Sequence, residues 1–254
     1  RCRPGRLIVT LTEFGTGKSL YCFLDTFYCR QMTTITPRGR SNPRSRLLVP
    51  HQTVHGAASR CAFPEGRDCE DMTDAAVRSA FPELDAIEDG DLRTGVVDAW
   101  TTAMADADVH DLGEIPWFPP VQRDLDLEGE YLVDHVRDVT ACAVGLAETL
   151  VERRGTDLSA DLVVAGALVH DVSKLAEFEG MEPTPVHDLL GHPYYGVHVV
   201  ERAGLPVDLA HVVLSHTSRT AIEPATIEAA IVRRADEVAA SAIRWRATDD
   251  LRTV

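Results

Sequence analysis

Residues 161–174, DLVVAGALVHDVSK, open on one acid, pass through eight apolar or glycine residues and end in His170-Asp171 and Lys174. The run has the composition of a helix buried on most of its faces, and a helix is expected over 158–173 with Asp157 or Ser159 as its cap. Water normally keeps an imidazole and a carboxylate. Burying them unpaired costs several kcal/mol, so the doublet requires a partner: another side chain, a structural hydrogen bond or a metal ion.

Outward from this stretch, the apolar periodicity predicts further helices at 73–80, 84–107, 129–154, 192–204, 207–217 and 224–244. The breaks between them are rich in proline and glycine: EIPWFPPVQ, RRGTD, EGMEPTP, AGLP and SRTAIEP. Past the first few dozen residues no segment alternates as a strand does. The expected fold class is therefore all-α, a helical bundle over 129–244 with 84–107 packed on it as an accessory helix.

Composition divides the chain at Met72. Residues 1–71 hold 11 Lys/Arg against 6 Asp/Glu and five of the six cysteines, while residues 72–254 hold 14 against 34, with Lys174 their only lysine. The first part is expected to be a low-order extension upstream of a start at Met72, residues 72–128 an accessory helical segment, and 129–244 the main domain. A surface this acidic and lysine-poor resembles those of proteins from salt-loving organisms, and a halophilic archaeon is the expected source. Such charge argues against unaided binding to nucleic acid or anionic membranes. With neither a membrane-spanning run nor a secretory signal evident, a cytoplasmic location is expected; a homo-oligomer stays open.

The extension holds a false lead. In RLIVTLTEFGTGKSL, Gly17-Lys18-Ser19 invites a phosphate-binding loop, but the position of the loop's first glycine is Thr12, whose β-branched side chain fits the required backbone poorly. His51 and His55 lack helical support, and the spacings Cys22–Cys29 and Cys61–Cys69 fit no usual zinc pattern.

Metal-ligand side chains recur at five places in the helical part: His135 in DHVRDV, the His170-Asp171 doublet, His192 in GHPYYG, His216 in VVLSHTS and Asp236 in RRADEVA. One buried histidine alone is more often a satisfied core residue. Together the set is four imidazoles and two carboxylates, each near an apolar face, with no thiolate. Such donors suit Fe, Mn, Zn, Co or Ni, with Mg allowed. They exceed the need of one tetrahedral ion and match two ions bridged by a carboxylate.

With ALVHDVSK and Lys174 three residues after Asp171, these motifs make the stretch 129–240 resemble the HD superfamily of metal-dependent phosphohydrolases, in its two-metal branch. The resemblance implies that His135, His170, Asp171 and Asp236 hold one divalent metal ion. Asp171 bridges to a second, completed by His192 and His216, and the other imidazole nitrogens meet backbone or carboxylate acceptors. It implies hydrolysis of a phosphoester or phosphoanhydride of a small, nucleotide-type substrate by a metal-bridged hydroxide, with Lys174 supplying positive charge to a phosphate. Arg219 and the pair Arg233-Arg234 are further phosphate candidates or surface charges. Trp117, Phe118, Tyr194 and Tyr195 are candidate base or ribose contacts or core residues.

Weaker metal-type residues have plainer readings. His187-Asp188 is expected to be a cap just before the His192 segment, His198 and His211 to pack or to support ligands, and Cys142 to be a small buried side chain. Two rival functions share the motif set: a di-iron oxygenase and a non-catalytic HD module.

Overall fold

A computed structural model describes residues 67–253 of the chain. Thr12, Gly17, Lys18, Ser19, His51, His55 and the cysteines before residue 67 lie outside the described residues. Ten α-helices carry the fold: α1 Arg67–Ala80, α2 Gly90–Asp106, α3 Pro119–Leu125, α4 Leu132–Arg154, α5 Ala160–Val169, α6 Lys174–Glu177, α7 Pro185–Leu189, α8 His192–Arg202, α9 Val207–Ser215 and α10 Ile227–Trp245. One small antiparallel hairpin, β1 Phe178–Glu179 with β2 Glu182–Pro183, interrupts them. The class is all-α, as expected. No helix is long and apolar enough to cross a membrane among the described residues.

Helix α5 is the axle. Val163 to Val169 are all buried, and the helix packs against α2, α4, α9 and α10. Val164, Ala165, Leu168 and Val169 face one core with Phe81, Trp100, Leu132, Val136, Val200 and Leu209. Val163 and Ala167 face a second core with Val139, Ala143, Ile231, Val232 and Ala235. Ser159 caps the helix, accepting from the Leu162 amide at 3.2 Å, and the Ser159 amide donates to Glu228 on α10 at 3.0 Å. The apolar run 162–169 of α5 follows from burial on both sides.

Several expected boundaries move. Helix 158–173 stops at Val169, and His170–Ser173 form a turn before α6, closed by Val172 N–H to Val169 O and Lys174 N–H to Asp171 O. The expected helix 84–107 is broken into a 3₁₀ turn, Pro82–Ala86, and α2. The cause is tertiary: the Asp161 carboxylate on α5 accepts from the Glu88 and Asp89 amides at 3.0 and 2.8 Å, while Asp89 caps α2 through the amides of Asp91 and Leu92. Helix α1 begins at Arg67 and runs through Met72. Proline made α3 and α7 read as loop, yet it sits in the first turn of each, where its missing N–H costs nothing. Residues 77–112 share the main core with α4, α5, α8 and α9 and are not an appended layer.

The approach of α8 to α9 requires a glycine. A Cβ at Gly196 would stand 2.5 Å from Val213 Cγ1 and 3.0 Å from Ser173 Oγ. The Ser173 hydroxyl in turn donates to the His192 carbonyl at 2.7 Å, pinning the start of α8 to the turn that carries the doublet.

Candidate metal centre

The fold gathers the six side chains from five places. His135 comes from the second turn of α4, His170 and Asp171 from the turn after α5, His192 from the first residue of α8, His216 from the end of α9 and Asp236 from the middle of α10. The two oxygens of Asp171 divide the group. Oδ2 lies 3.4 Å from His135 Nε2 and 3.2 Å from His170 Nε2. Oδ1 lies 3.3 Å from His192 Nε2 and 3.6 Å from His216 Nε2. Asp236 Oδ1 adjoins the first half, 3.1 Å from His135 Nε2 and 4.0 Å from His170 Nε2.

Three of the four rings are committed at Nδ1, leaving Nε2 toward the centre. His170 meets Ala167 O at 2.7 Å, His216 meets Val213 O at 2.6 Å, and His192 meets Glu177 Oε2 at 2.9 Å. Each contact fixes the Nδ1–H tautomer, as ligand histidines require. His135 departs from the expectation, since its buried Nδ1 has no hydrogen-bond partner. On the inner side, His135 Nε2, His170 Nε2 and Asp171 Oδ1 are buried without a well-formed hydrogen bond. Buried polar atoms are seldom left so, and divalent cations in the two halves would satisfy all three. Among the described residues two groups have the spacing to hold an ion: His135, His170 and Asp171, and Asp171, His192 and His216, with Asp171 in both.

Electrostatics point the same way. Burial pushes the His216 imidazole down to about 3, with His170 adding to the effect, so it is neutral with a free lone pair at any ordinary pH. Burial opposes the charge of Asp171, but Lys174 and His170 outweigh it and hold the carboxyl well below its usual range. For Asp236, burial is likewise outweighed, here by His135 and His170.

Glu177 was not anticipated from the sequence. It is fully buried in α6 and accepts from both the His192 amide at 2.6 Å and its ring Nδ1 at 2.9 Å. Arg219 also points at it, 3.5 Å from Oε1. Gly191, at φ +76°, makes the tight turn that delivers His192 to this carboxylate. The only sequence signal was an acid three residues after Lys174, which is unremarkable on a helix. Glu177→Gln is expected to weaken divalent-metal binding by ~10–100-fold with little change in folding. With its oxygen on the His192 amide, the new side chain presents N–H₂ to Nδ1 and favours the tautomer whose Nε2 carries the proton. A metal-binding isotherm checks this; an unchanged affinity would remove the positioning role.

Above the centre is a cleft of about 250 Å³, lined by Trp117, Phe118, Lys174, Arg219, Asp236 and Arg244 among others. Lys174 is 7% exposed, reaches Asp171 Oδ2 at 2.7 Å and lies over the rings of Trp117 and Phe118. Arg219 lies over Phe118. Trp117 is both cleft wall and core, packing with Ala240 and Ile243. Arg233 and Arg234 do not line the cleft and pair instead with Glu223 and Glu237. Tyr194 lines a different, smaller cleft with Leu189 and Leu190, and Tyr195 packs on the main core. His187 pairs with Asp188 in α7 and stacks on Phe178. They cap nothing: Thr184 caps α7, and Gly191 precedes α8. His211 accepts from the Ala225 amide, His198 stacks on Tyr195, and Cys142 packs at the edge of the second core.

This arrangement coincides with a family match. Residues 132–241, which contain all six side chains, match the family model of the HD domain. Over 111 residues the chain is 32% identical to the dihydroneopterin 2',3'-cyclic phosphate phosphodiesterase of Methanocaldococcus jannaschii. The match takes in 42% of this chain and spans 45% of that relative, under half its length. No solved structure matches the chain.

Proposed function

We propose that this chain is an HD-type metal-dependent phosphohydrolase that cleaves a phosphoester or phosphoanhydride in a small, nucleotide-like substrate. The observation that carries the reading is the pairing of an anionic, ligand-rich floor with a cationic rim. Six nitrogen and oxygen donors converge below the cleft, and Lys174, Arg219 and Arg244 ring it.

His135, His170, Asp171 and Asp236 would hold one ion, and Asp171, His192 and His216 a second. Bound divalent ions supply Lewis acidity toward phosphoryl oxygens and lower the pKa of water toward ~7. The chain's own residues do the rest. Lys174 is held by Asp171 with its ammonium toward the cleft, where it offsets phosphate charge that the acidic surface would otherwise repel. Trp117 and Phe118 wall the same space. In the reaction, water adds to phosphorus, one P–O bond breaks, and the departing oxygen takes up a proton. A cyclic phosphodiester, the substrate type in the relative's name, opens to a monoester by this chemistry, and a flat heterocycle attached to such a phosphate suits a cleft walled by aromatic side chains.

The test is turnover of purified protein loaded in turn with Mn, Fe, Zn, Co, Ni and Mg. The substrate panel should contain 2',3'-cyclic phosphates, nucleoside di- and triphosphates and dinucleoside polyphosphates, at low and at molar salt. At least one is expected to be hydrolysed, with the rate falling at least about 100-fold on chelation. Metal-loaded protein that consumes oxygen and hydrolyses nothing would instead be an oxygenase; metal binding with neither activity would leave a binding module.

A further inference from the structure

The three cations of the cleft are not equivalent. Lys174 is neutralised by Asp171 at 2.7 Å. Arg219 has Glu177 at 3.5 Å. Arg244 lines the same cleft, half-buried, with its guanidinium 5.3 Å from the centre of the Trp117 ring. Among the described residues no carboxylate lies within ion-pair distance of it, although the chain carries 40 Asp and Glu to 25 Lys and Arg. A partly desolvated cation without a partner is unfavourable, and a surface this acidic offers partners cheaply.

Helix periodicity places the residue. Asp236, Ala240 and Arg244 are four apart on one face of α10, and all three line the cleft. Eight residues of helix set the Arg244 backbone about 12 Å beyond that of Asp236. Long side chains on a helix lean back toward its N-terminus, so the guanidinium reaches toward the centre without pairing with Asp236. Ala240, between them, carries only a methyl group and leaves the intervening space to a ligand. The ring over which the guanidinium lies, that of Trp117, is itself packed on Ala240 and Ile243.

On the phosphohydrolase reading above, we infer that Arg244 is the anion anchor of this cleft: its planar fork, lying over the Trp117 ring, takes two oxygens of a substrate phosphate. An arginine suits this better than a lysine, because its donors are fixed in a plane that matches two oxygens and also stacks on an aromatic face.

The experiment compares metal-loaded wild type, Arg244→Met and Arg244→Lys for binding of inorganic phosphate and, with a hydrolysed substrate, for KM and kcat. Arg244→Met is expected to weaken phosphate binding and raise KM by ~10–100-fold, with kcat changed far less. Arg244→Lys should fall between, and metal content and thermal melting should stay at wild-type values. Phosphate affinity unchanged in Arg244→Met, or lost only together with the folded state while Arg244→Lys binds as wild type does, overturns the anchor. So does a metal-loaded wild type that fails to bind phosphate at millimolar concentration. If no substrate in the panel is hydrolysed but Arg244→Met still loses phosphate, the anchor stands and the hydrolase reading falls.

Discussion

Asp171→Asn is expected to lower turnover by about three powers of ten and to strip the protein of tightly held metal. The reason lies in how the two carboxylate oxygens are used. Oδ2 faces His135, His170 and Lys174, and Oδ1 faces His192 and His216. An asparagine of the same shape keeps one oxygen, so either orientation of the amide presents N–H₂ to one half of the centre. Loss of several kcal/mol of charge stabilisation at phosphorus corresponds to that fall in rate. A second effect acts through Lys174, whose buried ammonium loses its nearest counter-charge; breaking such a pair from one side costs about 3–5 kcal/mol. Asp171→Asn combined with Lys174→Met should therefore recover much of the stability and none of the activity. Metal content, turnover and thermal melting of the wild type and the two variants test this together. A single variant that keeps its metal and turns over within tenfold of wild type would sink the proposed site.

Trp100→Ala carries the largest expected cost in stability. Trp100 is fully buried in α2, packs on Phe81 with ring centroids 4.8 Å apart, and donates from Nε1 to the Leu168 carbonyl at 3.0 Å. That carbonyl lies two residues before His170, so one side chain joins the segment before the HD match to the end of α5. Removing a buried indole costs about 3–5 kcal/mol, or roughly 10 °C in melting temperature for a unit of this size. Trp100→Phe keeps most of the volume and gives up only the hydrogen bond, at a cost of about 1–3 kcal/mol. If residues before 132 were merely appended, Trp100→Ala would leave the melting of the metal-free protein unchanged.

Much of this molecule is legible as sequence because two of its signals are strong. The apolar run 162–169 can be stable only inside a core, which fixes α5 as the central helix. His135, His170, Asp171, His192, His216 and Asp236 are the wrong residues for their apolar surroundings unless they meet one another, and the fold brings them together. Lys174 stands out because it is the last lysine in an acidic chain. The central helix follows from local periodicity and the cost of burying polar groups, both properties of short segments, whereas the six-residue set rested on the ordered motifs and the family they resemble.

What the sequence could not reveal depends on neighbours distant along the chain. The break between the 3₁₀ turn and α2 exists because Asp161, over seventy residues away, captures two amides. Glu177 matters because Gly191 turns His192 onto it, and Arg244 rather than Arg233 or Arg234 reaches the cleft because of which face α10 turns inward. By itself the sequence determined that the chain is helical, where its buried axle lies and which donor atoms must find company, since each follows from what a segment would lose in water or gain in a core. Only the tertiary structure decided which cation of the cleft lacks a carboxylate partner among the described residues, which acid orients His192 and which aromatic residues wall the cleft, because those depend on directions in space that one-dimensional spacing does not carry.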